Sequence, residues 1–523
     1  MGPGDEHDLL AAVWQRRRAV LDEGRPEAVE RQHALGKLTA RERIARLADD
    51  ASFREIGGLI QPSRETPHTA DLDAPADGVV TGSATIGGRA VNLASFDFTV
   101  IGGSNGKAGA AKVARCSRRS LHDGVPLVML LDGGGHRIQE GLDARHFAWG
   151  FEFFHYQAQL SGWVPMAAAV LGPGFAGPSN FAALADFVVM TRGPATMGVA
   201  GPALVRAATG EDLGKEELGG ARVQADLNGI ADLAAGTEGE ALEAVRRFLS
   251  YLPGNAAEPP PVVDSGDPPD RCDESLATAV PANPRRAYDV RRVISAIADH
   301  DSVFEIKPGY ARNIVTALAR LAGRPVGFVA NQPQHLAGTL DSPACEKAAH
   351  FVSMCDAFGL PLVFLVDVPG FLVGSAAERS GLARRSGRML YELGQATVPR
   401  CTVVLRKGYG LAYIAMCGGR SFDADLCLAW PTAEISAMSI EGAVDVAYRR
   451  EIQSSPDPAA RRAEFISQFR DQLGAVQAAE GFGVDDVIDP RHTRPILIER
   501  LERASGARHA MPRPPKRHGI SPV

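Results

Sequence analysis

The chain has 523 residues, more than one hydrophobic core usually supports, so two or three domains are expected. Apolar residues make up 45% and charged residues 23% of the sequence, the balance of a water-soluble globular protein. The formal net charge is −6 and no basic stripe occurs, which argues against a nucleic-acid-binding protein. Neither a run of about 18 apolar residues nor a signal-peptide core is present, so we expect a cytoplasmic protein without a membrane span.

The elements predicted in chain order begin with helices and change to strands after about residue 77. Residues 8–23 are typical of an amphipathic helix, and Thr39–Glu42 fits a capping box that opens a second helix. Short apolar runs between glycines predict strands over residues 78–82, 90–95 and 127–131. A helix is predicted over residues 145–160, and the alternation of strand and helix indicates an α/β fold.

The sequence repeats itself at a distance of 235 residues. Pro126–Asp132 returns as Pro361–Asp367, and the same offset relates Lys112 to Lys347. A repeat of this length indicates two tandem domains, because each copy is large enough to bury its own core. We therefore predict an N-terminal domain over residues 1–255 with a helical extension, a proline-rich linker over 256–275, and a C-terminal domain over 276–523.

Seven cysteines are present and none forms a Cys-x-x-Cys pair, so reduced thiols are expected and no metal site is predicted. A basic stretch runs from Lys107 to Arg119. It would suit the phosphates of a nucleotide-bearing substrate, but a solvated helix face is the favoured interpretation.

Glycine-rich turns follow buried strands at corresponding places in both halves of the repeat. They lie at residues 132–135, 172–178, 367–370 and 408–412. Small residues at a strand-to-helix turn let a substrate oxygen approach unpaired N–H groups at the helix start, which can form an oxyanion hole. Tight packing alone explains any single one of these turns, whereas four in a repeat favour a binding role. No Gly-Lys-Ser/Thr follows them, which excludes a phosphate-binding P-loop.

Several longer motifs carry a family resemblance. They are Gly134–Gly141, Glu217–Ala221, Asn331–Pro333, Val366–Leu372 and Ala429–Ile435. With these motifs the chain resembles the carboxyltransferase β subunits of biotin-dependent acyl-CoA carboxylases, most strongly the propionyl-CoA carboxylase type and the transcarboxylase 12S subunit. The similarity runs from about Gly36 to Gly519.

The resemblance implies two tandem crotonase-like domains, a homo-hexameric ring, and a site between the N-domain of one subunit and the C-domain of another. It implies that CO2 moves from carboxybiotin to the α-carbon of an acyl-CoA through a thioester enolate, without a metal. The implied backbone donors are Ala176, Gly177, Leu411 and Ala412. The implied substrate-contacting residues are Gly134, Gly135, His136, Phe175, Gly410 and Ile414.

The implied partners are a biotin carboxylase and a biotin carboxyl carrier subunit, because this sequence has no Ala-Met-Lys-Met biotinylation site. Two alternatives remain open: a decarboxylase of malonyl- or methylmalonyl-type thioesters, and a non-catalytic paralogue of the ring. Acid–base catalysis by His136 or Glu140 is disfavoured against a role for Glu140 at a helix start.

The chain departs from the family pattern in the loops that would shape the site. His136, Phe175 and Leu411 replace smaller residues of the family, and Gln224 and Asp232 stand where histidines are common. Backbone donors survive such changes as long as the turns are kept. The acyl pocket would change, so the sequence predicts either propionyl-CoA or a less usual acyl-CoA as substrate.

Overall fold

The computed structural model describes residues 3–62, 72–148, 150–283, 285–470 and 472–504. The chain forms two compact units, Met1–Glu258 and Pro259–Val523, and each contains one large mixed sheet. The division falls inside the predicted linker 256–275. The predicted bounds of the two domains stay a prediction.

Unit 1 is a seven-stranded sheet with helices packed on it. Its strands are β1 Arg54–Ile56, β2 Val79–Ile86, β3 Arg89–Phe96, β4 Leu127–Leu131, β5 Met166–Val170, β6 Pro173–Phe175, β7 Phe187–Thr191, β8 Thr196–Gly198 and β9 Leu233–Ala235. Its helices are α1 Pro3–Ala19, α2 Pro26–Ala34, α3 Ala40–Leu47, α4 Lys107–Asp123, α5 Ile138–Gly141, α6 Ala144–Phe147, α7 Phe153–Leu160, α8 Gly177–Ala183, α9 Pro202–Thr209, α10 Lys215–Gly219 and α11 Glu238–Tyr251. The sheet order is β1-β2-β3-β4-β5-β7-β9, and β6 pairs with β8 apart from it.

Unit 2 repeats this plan with an eight-stranded sheet. Its strands are β10 Phe304–Ile306, β11 Ile314–Leu321, β12 Arg324–Asn331, β13 Leu362–Val368, β14 Arg400–Tyr409, β15 Leu426–Ala429, β16 Glu434–Ser436 and β17 Asp486–Val487. Its helices are α12 Val290–Ile297, α13 Ser342–Ala357, α14 Ser375–Arg379, α15 Leu382–Gln395, α16 Gly410–Ala415, α17 Ile440–Ala447, α18 Arg449–Ser454, α19 Pro458–Arg470, α20 Ala475–Glu480 and α21 Thr493–Ala504. The order is β10-β11-β12-β13-β14-β15-β17, with β16 on β14.

The sheets combine an antiparallel hairpin with parallel crossovers. In unit 1, β2 and β3 are antiparallel and joined by Gly87 and Gly88, both at positive φ, as a tight hairpin turn requires. β3, β4, β5, β7 and β9 are parallel neighbours. Every residue of β4, β5 and β7 is buried, since a parallel strand is covered on both faces. The predicted strands and the α/β class are confirmed.

The structural repeat extends further than the sequence repeat. Arg41 forms a bidentate ion pair with Glu55, and Arg291 forms the same pair with Glu305, at an offset of 250 residues. The first pair lies N-terminal to β2 and the second N-terminal to β11. In these two strands, equivalent residues of the two units are 235 positions apart. The two units therefore repeat a chain of anchoring contacts as well as a sheet.

The helix predictions are confirmed in part. Thr39 and Glu42 form the reciprocal capping box that opens α3. The helix predicted over residues 145–160 is wrong in its first half, because α6 ends at Phe147 and Gly150 stands at φ 65 before α7 begins. The helix predicted over residues 8–23 is α1, which lies earlier and ends at Ala19.

The end of the predicted linker is anchored to unit 2 through polar contacts. Asp267 is buried and accepts hydrogen bonds from the Arg271 side chain and from the N–H of His300. The low apolar content of residues 256–275 did not predict this contact with unit 2. The ion pair between Asp267 and Arg271, and not the burial of apolar side chains, holds this segment in place.

Lys112 and Lys347 are buried and hold the chain at the start of β2 and β11. The Lys112 ammonium donates to the carbonyls of Ala76 and Val79. Lys347 donates to four carbonyls, including those of the equivalent residues 311 and 314. The interpretation of the basic stretch as a solvated helix face is therefore wrong for Lys112, although Arg115 and Arg118 on α4 are exposed.

No helix in the described ranges is long and apolar enough to cross a membrane.

Replacing Lys112 with Met should lower the free energy of unfolding by about 2 kcal/mol, because two buried carbonyls lose a charged donor, although the Ala76 carbonyl keeps the Val79 N–H. Lys107→Met in the same helix removes a half-buried lysine and serves as the matched control. Thermal and urea unfolding of the two variants would measure the difference. Equal melting temperatures for both would contradict the anchoring role.

Candidate active site

The turn after β4 packs main chain against main chain. The Gly133 N–H donates to the Pro173 carbonyl at 2.7 Å. At Gly103, which has a positive φ, a Cβ atom would collide with the Asp132 carbonyl oxygen. Only glycine fits so close an approach, and this explains why small residues cluster at the end of this strand.

Gly135 brings this turn against the start of α8. Its φ is +87°, and a Cβ at this position would lie 3.4 Å from the Phe175 carbonyl oxygen and 3.7 Å from the Gly177 nitrogen. At Gly134 and Gly177 a Cβ would meet no atom within 4 Å. The structure thus brings Gly134, Gly135 and Gly177 together beside open space.

Ala176 forms the turn from β6 into α8. Its backbone has φ 64 and ψ −123, and its N–H donates to the Gly198 carbonyl at 2.8 Å. The prediction that Ala176 is a free donor does not fit this geometry, because its N–H is already paired. For the Gly177 N–H, no acceptor is found among the residues that the structure describes.

Phe175 is 9% exposed, and its ring packs against Gly198 at the end of β8 and Gly201 just beyond it. A Cβ at Gly198 would lie 3.1 Å from this ring, and one at Gly201 would lie 3.6 Å from it. The bulk of Phe175 is therefore accommodated by glycines at these two positions.

His136 lies in an aromatic cluster. Its ring centroid is 5.0 Å from that of Phe151 and 5.7 Å from that of Phe147. Edge and tilted ring contacts of this kind are packing interactions. They support the expectation that His136 is not an acid–base catalyst.

Glu140 belongs to a buried ion cluster. Arg137 donates to Asp77 at 2.6 Å and to Glu140 at 2.8 Å, and the second Glu140 oxygen accepts the Lys107 N–H at the start of α4. Glu140 thus occupies a helix start, as expected, but the helix is α4 and not the one that contains it. Burial raises the pKa of Asp77, against the lowering effect of Arg137.

A second buried cluster holds the end of β4, and no sequence pattern predicted it. Asp132 accepts from the Lys37 ammonium at 2.6 Å and pairs with Arg43 at 2.8 Å. Arg43 also forms a bidentate pair with Glu238 on α11. Burial lowers the pKa of Lys37, and the Asp132 carboxylate opposes that shift. The residues that precede the first glycine turn are therefore fixed from two directions.

The corresponding turn of unit 2 lies between β14 and α16. Gly410 has φ 64, the value seen at Ala176, so Leu411 corresponds to Gly177. Leu411 is 54% exposed and Ala412 is fully buried, while Ile414 is half-buried. Within the described part of the chain, the N–H groups of Leu411 and Ala412 have no acceptor.

Asp367 repeats the position and the ion pairing of Asp132. Arg406 lies 2.9 Å from one carboxylate oxygen, and the Lys407 N–H donates to the other at 3.2 Å. The Asp367 N–H in turn donates to the Asn331 side chain at 3.2 Å. Asn331 and Asp367, which lie in two different sequence motifs, therefore form one hydrogen-bonded group next to the turn at residues 408–412.

The motif Ala429–Ile435, which contains Glu434, contacts the turn at residues 408–412. The Tyr409 hydroxyl donates to Glu434 at 2.6 Å, and burial together with this carboxylate raises the pKa of Tyr409. Trp430 is fully buried and donates to the Thr493 hydroxyl at 3.0 Å. The Tyr409 contact fixes the end of β14, just before the exposed Leu411.

Gln224 and Asp232, which depart from the family pattern, have structural contacts. The Gln224 amide donates to the Met197 carbonyl at 3.0 Å, and Asp232 accepts the Val188 N–H at 2.6 Å. The first contact joins the helical turn Arg222–Leu227 to β8, and the second joins the residue before β9 to the neighbouring strand β7. The changes at these positions therefore preserve the packing behind the turns.

Across the described ranges, no group of three or more His, Cys, Asp and Glu side chains is arranged to hold a metal ion. Six of the seven cysteines are buried thiols, and Cys272 is exposed.

Comparison with known proteins gives a match to the family model of the carboxyl transferase domain over residues 31–520. The propionyl-CoA carboxylase carboxyltransferase subunit of Haloferax mediterranei is 40% identical over 518 residues, covering 99% of each chain. The methylmalonyl-CoA decarboxylase subunit alpha of Veillonella parvula is 41% identical over 500 residues, covering 96% of each chain.

A similar solved structure is the transcarboxylase 12S crystal structure, which describes a hexamer with methylmalonyl-coenzyme A and methylmalonic acid bound. It is 42% identical to this chain, with a TM-score of 0.93 and coverage of 98% of both chains.

Replacing Ala176 with Gly should raise the free energy of unfolding by about 1 kcal/mol, because φ 64 strains a residue with a Cβ. The matched variant Gly135→Ala puts a Cβ at φ +87 and should destabilise by a similar amount. Urea unfolding of both variants measures whether the free energy of unfolding rises or falls in each. A loss of stability in Ala176→Gly would show that the turn is not strained.

Proposed function

We propose that this chain, which belongs to the carboxyl transferase domain family, moves a carboxyl group from carboxybiotin to the α-carbon of an acyl-CoA. Membership in this family makes the chain a carboxyltransferase enzyme. The observation that carries the proposed mechanism is the pair of equivalent helix starts, at Gly177 and Leu411, whose N–H groups have no acceptor in the described structure. Both lie next to a segment that holds a buried aspartate: Gly133, which follows Asp132, donates to the Pro173 carbonyl, and Asp367 accepts the Lys407 N–H.

The proposed chemistry needs donors for two developing charges. Loss of CO2 would leave negative charge on the ureido oxygen of biotin, and biotin would then take the α-proton of the acyl-CoA, which would leave the enolate charge on the thioester oxygen. Carboxybiotin on a partner protein would supply the CO2. The chain's own contribution is to bind the two oxygens, orient the reactants and exclude water.

The residues around the turns suit neutral, planar groups such as a thioester or a ureido ring. Gly134 and Gly177 leave open space where a Cβ would stand. The nearby ionisable side chains are already engaged, since Glu140 is ion-paired and His136 packs among aromatic rings. Backbone N–H groups are therefore the donors that we assign to catalysis, namely those of Gly177, Leu411 and Ala412.

We assign the choice of acyl chain to the region around Leu411 and Ile414. Leu411 exposes half of its surface beside the donor turn, and Ile414 is half-buried on the same helix. These apolar side chains would limit the space for an acyl group. A propionyl-like or a less usual acyl-CoA fits this proposal, and Gly135 and Gly410 would contact the substrate through their main chains.

The assembly is a further proposal. The similarity to the transcarboxylase 12S structure, which is described as a hexamer, supports a homo-hexamer. A biotin carboxylase and a biotin carboxyl carrier subunit are the partners that we propose from the family resemblance. A cytoplasmic location remains a prediction from the sequence.

A panel assay tests the function. The purified chain, supplied with a carboxylated biotin carrier, should transfer carboxyl groups to propionyl-CoA or to a less usual acyl-CoA, and the relative rates across the panel identify the preferred thioester. A clear preference for propionyl-CoA would exclude a less usual acyl-CoA as the preferred substrate and would still support carboxyl transfer as the function. No transfer to any thioester by a folded oligomer would support the non-catalytic alternative and refute the proposal.

The similarity to a methylmalonyl-CoA decarboxylase subunit favours a second candidate, the reverse direction of the same chemistry. A site that stabilises the enolate does so in both directions. Release of CO2 from methylmalonyl-CoA without ATP would support a decarboxylase. Because both candidates use the same turns, the assay and not the fold separates them.

Replacing Leu411 with Pro removes one N–H and should lower kcat by about 100- to 1000-fold, as loss of an oxyanion donor does in other enzymes. KM for the acyl-CoA should change far less. Leu411→Ala keeps the N–H and removes only an exposed side chain, so it controls for bulk. Equal kcat values for the two variants in intact oligomers would refute the donor assignment.

A further inference from the structure

Unit 1 contains an apolar cavity that the proposed reaction does not use. Its volume is about 250 Å³, and it lies between the first three strands and α4. Ile56, Ile60 and Cys116 contribute to its lining. An engineered apolar cavity of roughly 150 Å³ takes up benzene, so this one has room for a longer hydrocarbon.

The internal repeat provides a comparison for this cavity. At an offset of 235, Cys116 corresponds to Phe351 and Asn92 corresponds to Gly327. In unit 2 the Phe351 ring is 2% exposed and reaches to 2.9 Å from where a Cβ at Gly327 would lie. The same fold therefore accommodates a phenyl ring here, and unit 1 replaces it with a much smaller thiol.

The cavity is remote from the glycine turns. Asn92, which lines it, pairs with Leu127 at the first residue of β4. The turn follows Leu131 at the opposite end of that strand, about 13 Å away at the usual rise per residue. A molecule in the cavity would not compete with one at the turns.

The polar groups around the cavity are unequally engaged. The Lys112 ammonium donates to two carbonyls, so its methylenes are the part that faces Gly57. Arg119 has only a distant ion pair, at 3.7 Å, with Asp123. Arg115 is exposed at the lining, and no described carboxylate lies within ion-pair distance of it.

A shallower hollow of about 580 Å³ shares Arg115 and Arg119 with the cavity and adds Arg118 and His122. Two carboxylates, Asp123 and Glu152, also line this hollow, and Asp123 is the one that pairs with Arg119. Three guanidinium groups thus face two carboxylates there. An apolar chamber with guanidinium groups at its edge complements a molecule with a hydrocarbon tail and a negative head. A carboxylate matches the fork of a guanidinium.

We propose that this cavity binds a medium-chain monocarboxylate, with its hydrocarbon chain beside Cys116 and its carboxylate at Arg115 and Arg119. Unit 2 lacks the site because Phe351 fills the equivalent space. One molecule should therefore bind per chain.

Calorimetric titration of the intact oligomer with octanoate tests the proposal. Saturating propionyl-CoA is present throughout, so that binding at the proposed acyl site is blocked. We expect one octanoate per chain, weaker binding of butanoate, and a rise in melting temperature with octanoate. Octanoate that binds only in a parallel titration without propionyl-CoA would overturn the proposal.

Two sets of variants locate the site. Asn92→Gly with Cys116→Phe installs the packing pair of unit 2 and should abolish octanoate binding while carboxyl transfer persists. Arg115→Gln with Arg119→Gln should weaken octanoate about fivefold and leave octan-1-ol unchanged, with Arg118→Gln as the matched control.

The outcomes decide between a ligand site and a packing void. Octanoate binding that survives the filled cavity would refute the location. If the filled variant melts higher than the parent and neither form binds octanoate, the cavity is only a void and the proposal is wrong.

Discussion

The buried pairing of a carboxylate with a cation at the end of a central strand is the constraint on which both donor turns depend. Asp132 is held by Lys37 and Arg43, and Asp367 is held by Arg406. A buried charge without its partner costs several kcal/mol, so each aspartate and its partner keep one arrangement. Hydrogen bonds join these segments to the donor turns. In unit 1 the Gly133 N–H donates to the Pro173 carbonyl, and in unit 2 the Lys407 N–H donates to the Asp367 carboxylate.

Fixing the backbone in this way allows catalysis without a dedicated acid or base on the chain. The side chains that suggested one, His136 and Glu140, take part in packing and ion pairing. N–H groups at a helix start are insensitive to side-chain identity. This is why substitutions such as Phe175 and Leu411 are compatible with the proposed function.

The internal repeat also shows how the two units diverged. Lys112 and Lys347 hold equivalent carbonyls, whereas Cys116 and Phe351 pack differently at equivalent positions. Polar anchors are preserved because an unsatisfied buried carbonyl is costly, while apolar volume can be redistributed between neighbours. The units therefore share a frame and differ in the spaces that it encloses.

The sequence alone determined the α/β class, the two tandem copies, the three strands β2, β3 and β4, and the capping box of α3, because these follow from local periodicity and from a long repeat. The family resemblance is confirmed as well. Tertiary structure decided that the Ala176 N–H is paired with Gly198, that Lys112 is buried, and which partners hold Asp132. Those features join residues far apart in the chain, and no local pattern encodes such contacts.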